Sequence, residues 1–225
     1  MPTIRYRAVF AALICSLCSG SVSVDSQPRY RQSATVCVAL SVHDDLQGAV
    51  FTTMRSEATR IWQPHGIALT WTSPPSATCD TVVPLVFDDA QLRKLAGPKR
   101  EDALALTVFA GRSRTVYVSA PRAFRMLAGV RESASALLSG GERDLRGGTL
   151  IGRVVAHELG HVLLETTLHS ETGLMRPVYR ASDALSADPQ TTSLSRVESQ
   201  RLAMRFSLEP AGVARTPAIL ARRDR

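Results

Sequence analysis

Between residues 34 and 206 the spacing of apolar positions changes period repeatedly, and each change predicts an element. ATVCVALSV (34–42) is β-branched and apolar, the composition of a strand. In LQGAVFTTMRSEATRIWQ the apolar positions Val50, Met54, Ala58 and Ile61 recur at helical spacing. Asp44 and Asp45 supply a capping signal ahead of that helix, and PHG at 64–66 supplies its stop. IALTW (67–71) and TVVPLVF (81–87) predict two more strands. Pro84 has no N–H to give to a ladder, which puts the second of these at a sheet edge or a bulge. DDAQLRKLAG predicts a short helix. ALALTVFAG (103–111) and TVYVSA (115–120) predict two strands around a turn at GRSR. A mixed helical region over 121–138 follows, then a loop at SGGERDLRGG, then a helix LIGRVVAHELGHVLL capped by Thr149. The last periodic stretch is SLSRVESQRLAMRF (193–206), a helix on which Leu194, Val197, Leu202 and Phe206 partly share one face.

This order predicts an α+β protein. Its sheet is mixed, twisted and α/β-like, with an N-terminal helix and the helix that carries the histidines. A small C-terminal subdomain ends in a helix. The domain covers 34–206, divided at 165/166, with a basic tail over 207–225. At 225 residues the chain has the length of one domain, and 44% hydrophobic with 21% charged residues is a folded composition.

Charge adds little. The formal net charge is +7 from 27 basic residues, of which only Lys94 and Lys99 are lysine. The arginines are dispersed, without a basic block or interleaved aromatics, so nucleic acid is not an expected partner.

The N-terminus changes the picture more. MPTIRYR is basic, AVFAALICSLC apolar and SGSVSVDS small and polar, the order of a secretory signal peptide over 1–23 with cleavage after Gly20 or Ser23. The apolar run falls short of the ~20 residues that span a bilayer, so no stable membrane insertion is expected after cleavage. A secreted or periplasmic destination follows. The alternative, a lipoprotein, needs a small residue before the modified cysteine, where Ile14 precedes Cys15 and Leu17 precedes Cys18. Removal of the signal leaves Cys37 and Cys79, a pair that reads as one disulfide in an exported chain, or else as two buried thiols.

The chemistry concentrates in HELGHVLLETTLHSETGLM (157–175), which holds three of the five histidines. Residues four apart on a helix lie about 40° apart around the axis and about 6 Å along it. The imidazoles of His157 and His161 can therefore converge on one Zn²⁺. Glu158 lies off that row, free to face a water in the metal's open position, which zinc acidifies. A carboxylate there acts as general base and then general acid in amide hydrolysis. The third ligand is less direct. A helix continued through His169 would carry it about 18 Å past His157, so the chain must turn after about Leu164. Thr166 and Thr167 weaken the helix there, yet no glycine or proline breaks it. His169 is the favoured ligand, with Glu171 as rival; Glu165 shares the helical row but lies too far along it. His43 and His65 read as bystanders, and Arg153 lies at the surface or beside the ligands.

With these residues in hand the chain resembles the metzincin clan of zinc metalloproteases, whose pattern is H-E-x-x-H-x-x-G-x-x-H followed by a Met-turn. HELGH matches, and HSETGLM resembles the third histidine with its Met-turn. The resemblance implies His157, His161 and His169 as ligands of one Zn²⁺, Glu158 as base, and Met175 as the methionine beneath the metal. LSRVESQRLAMRF resembles the closing helix of matrixin-like members, so the likeness spans roughly residues 35–206, although only the motif core is specific. Two departures stand out: the clan's glycine falls on Leu164 and its third histidine on Thr167, leaving a loop two residues longer. In this the chain is closer to a group of exported bacterial proteases with HELGHxLL and a later HSxxGLM. Tyr179, four residues past Met175, either stabilises an oxyanion or simply packs.

The expected function is a secreted, monomeric zinc endopeptidase acting on peptide or protein substrates, with no cleavage needed beyond signal removal. The alternatives are an exported zinc-binding module without catalysis, against which the intact Glu158 speaks, and a zinc hydrolase of a non-peptide amide.

Overall fold

A computed structural model describes residues 33–44, 46–72, 78–131, 139–177 and 185–209. The expected signal segment, Asp45, Tyr179 and the tail from residue 210 lie outside them. Five strands form one sheet in the order β2-β1-β3-β5-β4: β1 (Ala34–Val42), β2 (Ile67–Thr72), β3 (Thr81–Phe87), β4 (Ala105–Ala110) and β5 (Ser113–Val118). All neighbours run parallel except β4, an edge strand antiparallel to β5. The helices are α1 (Gly48–Trp62), α2 (Asp89–Ala96), α3 (Ala120–Arg131), α4 (Gly140–Leu163) and α5 (Arg196–Phe206). The α+β class with a mixed sheet is therefore as expected. No described helix is long and apolar enough to cross a membrane.

Alternation along the strands sets which face is covered. Val83, Leu85 and Phe87 of β3 and Val116 and Val118 of β5 are buried, whereas Val82 is 43% exposed. The stripe Val50, Met54, Ala58 and Ile61 of α1 is buried as its period predicts. The disulfide also forms: Cys37 in β1 bonds Cys79 ahead of β3, with Cα atoms 5.7 Å apart.

Four local expectations differ from the structure. Strand β3 is interior, but its ladder with β5 begins only at Leu85, so Pro84 lies on a stretch with β1 as its sole paired neighbour. The residue before α1 is Gln47, without a side-chain cap, while Asp44 accepts instead from the amide of Asp89 (3.2 Å). Val197 points outward at 67% exposure, although Leu194 and Leu202 are buried. The largest difference is in α4. SGGERDLRGG is not a loop: Ser139 caps a helix that starts at Gly140, and the hydroxyl of Thr149 bonds back to the Leu145 carbonyl (2.9 Å) from inside it.

Packing explains why a glycine-rich segment is helical. A Cβ on Gly148 would lie 2.5 Å from Thr53 Cβ and 2.8 Å from the Val50 carbonyl; one on Gly152 would lie 2.8 Å from both the Met54 carbonyl and Glu57 Cβ. Spaced one turn apart, these glycines let α4 rest on the backbone of α1. Trp62 Nε1 then donates to the carbonyl of Ala156 (3.2 Å), fixing the end of α1 beside the first histidine. Gly152→Ala should gain about 1 kcal/mol of helix propensity and lose more than that by overpacking, for a net destabilisation of about 2 kcal/mol. Urea unfolding checks this, and a more stable variant would show that the two helices separate without loss.

Candidate metal centre

The register of α4 places His157 and His161 one turn apart on its buried side, each under 10% exposed. Backbone carbonyls fix both rings. His157 Nδ1 lies 2.7 Å from the Leu174 carbonyl, and His161 Nδ1 lies 2.8 Å from that of Thr166. A carbonyl only accepts, so each Nδ1 carries the proton and each Nε2 presents a lone pair. Those two Nε2 atoms face each other at 3.1 Å. Two lone pairs at that distance repel unless a cation sits between them. Nitrogens bound at 2.0–2.1 Å to a tetrahedral ion would be about 3.4 Å apart, so the arrangement is close to ligand geometry. Burial pushes the His157 pKa down to about 4, with His161 and His169 adding to the effect. His161 and His169 are lowered as well, again mainly by burial. All three are neutral at pH 7, the form that binds a metal.

The turn needed to bring His169 back is present. Helix α4 ends at Leu163, and Glu165 adopts a left-handed conformation with φ 48°. The chain reverses, and the exposed ring of His169 comes within 4.8 Å of His161 and stacks at 5.3 Å on His157, centroid to centroid. Ligand atoms of His157, His161 and His169 all lie within 4.8 Å of one another, a group able to hold a metal ion. The rivals are elsewhere: Glu171 is exposed and outside that group, and Glu165 is paired with Arg114 and Arg205. Met175 is fully buried, its sulfur occupying space that a Cβ on Gly160 would fill. The segment around it is tied down by Ser170 N–H to the Met175 carbonyl and Leu174 N–H to the Ser193 carbonyl, both 2.8 Å. Ser170 Oγ also bonds Glu198, the capping-box residue of α5.

Glu158 lies on the cleft side of α4. Its Oε2 accepts from Thr107 Oγ1 at 2.6 Å. Burial raises its pKa to about 7, against the opposing pull of the Thr107 hydrogen bond and the field of Arg100. A cleft of ≈1140 Å³ opens here, with β4 along one side and His157, Glu158, His161 and His169 in its lining.

Thr107 is the residue the motif does not reveal. Alternation along β4 puts it on the same face as Ala105 and Phe109, but only the pairing with α4 shows that this face meets Glu158. Thr107→Val removes a hydrogen bond to a carboxylate, an interaction of about 1.5–3 kcal/mol. Its loss should raise the Glu158 pKa further, because the bond favours the charged carboxylate, while metal content is unchanged; an unaffected titration would show that the bond does not hold Glu158.

The remaining histidines stay apart from the site. His43 is exposed beside Ser41, and His65 is buried edge-on to Trp62. Arg153 is a buried brace between helices, bonding Glu57 Oε1 (2.8 Å) and the Ser186 carbonyl (2.7 Å). The chain matches no protein-family model and no curated protein, so its functional reading rests on this geometry.

Proposed function

We propose that the protein is an exported zinc-dependent endopeptidase of the metzincin type. The observation that carries the reading is the pair of histidine Nε2 lone pairs facing each other at 3.1 Å, with a third imidazole beside them and a buried carboxylate on the same helix. Three neutral imidazoles suit zinc, and three protein ligands leave a position open as catalytic sites require. Once bound, zinc would supply Lewis acidity toward water and the scissile carbonyl.

The chain's own residues do the rest. Carbonyls of Leu174 and Thr166 hold the imidazoles in the ligating tautomer. Thr107 fixes Oε2 of Glu158, leaving Oε1 to take a proton from the attacking water and deliver it to the departing amine. The disulfide accords with an oxidising compartment, which supports the export reading of the first 23 residues.

The test is zinc content together with hydrolysis of a mixed peptide library, before and after chelation. The expected result is one zinc per chain, activity lost on stripping and regained on zinc addition. A zinc-loaded protein inert toward every peptide would refute the peptidase reading, and metal-replete protein without zinc would refute the site itself.

A further inference from the structure

The reversal after α4 puts a glutamate where backbone sterics favour glycine. At φ 48° the Cβ of Glu165 crowds its own carbonyl region, and side-chain-bearing residues adopt this conformation rarely. Two arginines, distant in sequence from that turn, meet its carboxylate. Arg114 Nη2, from β5, lies 3.2 Å from Glu165 Oε1, and Arg205 Nη2, from α5, lies 3.3 Å from the same oxygen. Arg205 also donates through Nη1 to the carbonyls of Val162 (2.8 Å) and Leu163 (2.9 Å) in the last turn of α4. A guanidinium there satisfies the Leu163 carbonyl, shares that of Val162 with the Glu165 N–H (3.3 Å), and opposes the negative end of the helix dipole.

Ligand geometry depends on what comes next. Thr166 gives its carbonyl to His161 Nδ1 (2.8 Å), and its N–H donates to the carbonyl of the same histidine (3.1 Å). Its hydroxyl accepts from Leu168 N–H (3.1 Å), and His169 follows directly. An error of a few degrees at Glu165 would therefore reach one ligand through its hydrogen bond and another through the chain path.

We propose that Glu165, Arg114 and Arg205 form an electrostatic clamp that holds the left-handed turn a glycine would adopt unaided, and thereby positions His161 and His169. The inference rests on the metal-centre reading. These are positioning residues: Glu165 lies outside the ligand group, and the two arginines act on it and on the end of α4. Exposed ion pairs are individually weak, and Glu165 is 53% exposed, but both arginine side chains are about three-quarters buried, at 25% and 26% exposure, and one is anchored on two backbone carbonyls. The clamp also accounts for the absence of glycine and proline between His161 and His169.

The test measures zinc affinity by chelator competition, with the visible bands of substituted Co²⁺ as a reporter of tetrahedral coordination. The proteins are the intact chain, Arg205→Ala, and Arg205→Ala combined with Glu165→Gly. Loss of an outer support commonly lowers metal affinity 10–100-fold, and Arg205→Ala is expected to lower it about 10-fold and weaken the Co²⁺ bands. The double variant is expected to recover to within about 3-fold of the intact protein, because glycine occupies the turn without help. Circular dichroism of the metal-free forms verifies folding; if Arg205→Ala does not fold, Arg114→Ala with the same glycine rescue takes its place. Unchanged affinity in the single variant overturns the clamp. So does a double variant no better than the single, since Arg205 would then act through the helix end alone. If the intact protein itself binds no zinc, the metal-centre reading fails and takes the clamp with it.

Discussion

Glu158→Gln is expected to lower kcat/KM by about 10²–10⁴-fold while one zinc per chain is retained, the range a positioned general base contributes. On a free-energy scale this is about 2.7–5.5 kcal/mol of transition-state stabilisation. The amide matches the carboxylate in shape and can still accept from Thr107, so orientation is conserved and only basicity is lost. The metal is left alone because Glu158 is not among its ligands. Nor does unfolding confound the result. Burial already disfavours the Glu158 carboxylate, raising its pKa to about 7, so a neutral amide in its place should leave the fold at least as stable. Zinc analysis and steady-state kinetics on one preparation decide the matter. Activity within 10-fold of the intact protein would place the base on another residue.

The second large effect is on stability. Replacing Cys37 and Cys79 together by alanine is expected to remove about 4 kcal/mol, since a cross-link over a separation of 42 residues restricts the unfolded chain by roughly that amount. Against a typical total of about 5–15 kcal/mol this is a substantial fraction. The bond joins β1, which pairs with both β2 and β3, to the segment entering β3, so it ties together the interior of the sheet. It does not touch the histidines, and the folded fraction should bind zinc as before. Urea titration with and without reductant measures the shift. A change below about 1 kcal/mol would mean that the unfolded chain is already constrained or that the bond is strained.

Much of this was legible in the residues, for identifiable reasons. The strands announced themselves because runs such as ATVCVALSV and TVVPLVF contain little except β-branched and apolar side chains, and α1 did so through a clean four-residue stripe. The two histidines of HELGH and the carboxylate between them needed only helical geometry. The first ten residues of α4 were misread because their glycines are poor helix formers in isolation; Gly147 makes room for Phe124 and Gly148 for the backbone of α1, contacts that no local pattern records. The third histidine could be named but not its route, since the turn at Glu165 is held by Arg114, 51 residues away, and by Arg205 on the last helix. Thr107 was hidden for the same reason: its partner is also 51 residues off, on a different element. What sequence periodicity supplies is faces; which faces meet is decided by the whole chain.

The seat of Met175 bears on how the protein ages. Its sulfur fills the hollow left by the missing side chain of Gly160, a residue between the two histidines on α4, and no part of it reaches solvent. A sulfoxide oxygen has no room there, and a buried thioether is out of reach of peroxide while the fold stays closed. Damage is therefore reserved for molecules that open, and one oxidised in that interval could not re-seat α4 against the turn. Peroxide should inactivate the protein faster in mild denaturant than in buffer alone. The working life of the metal centre is then set less by the ion than by how seldom the chain breathes.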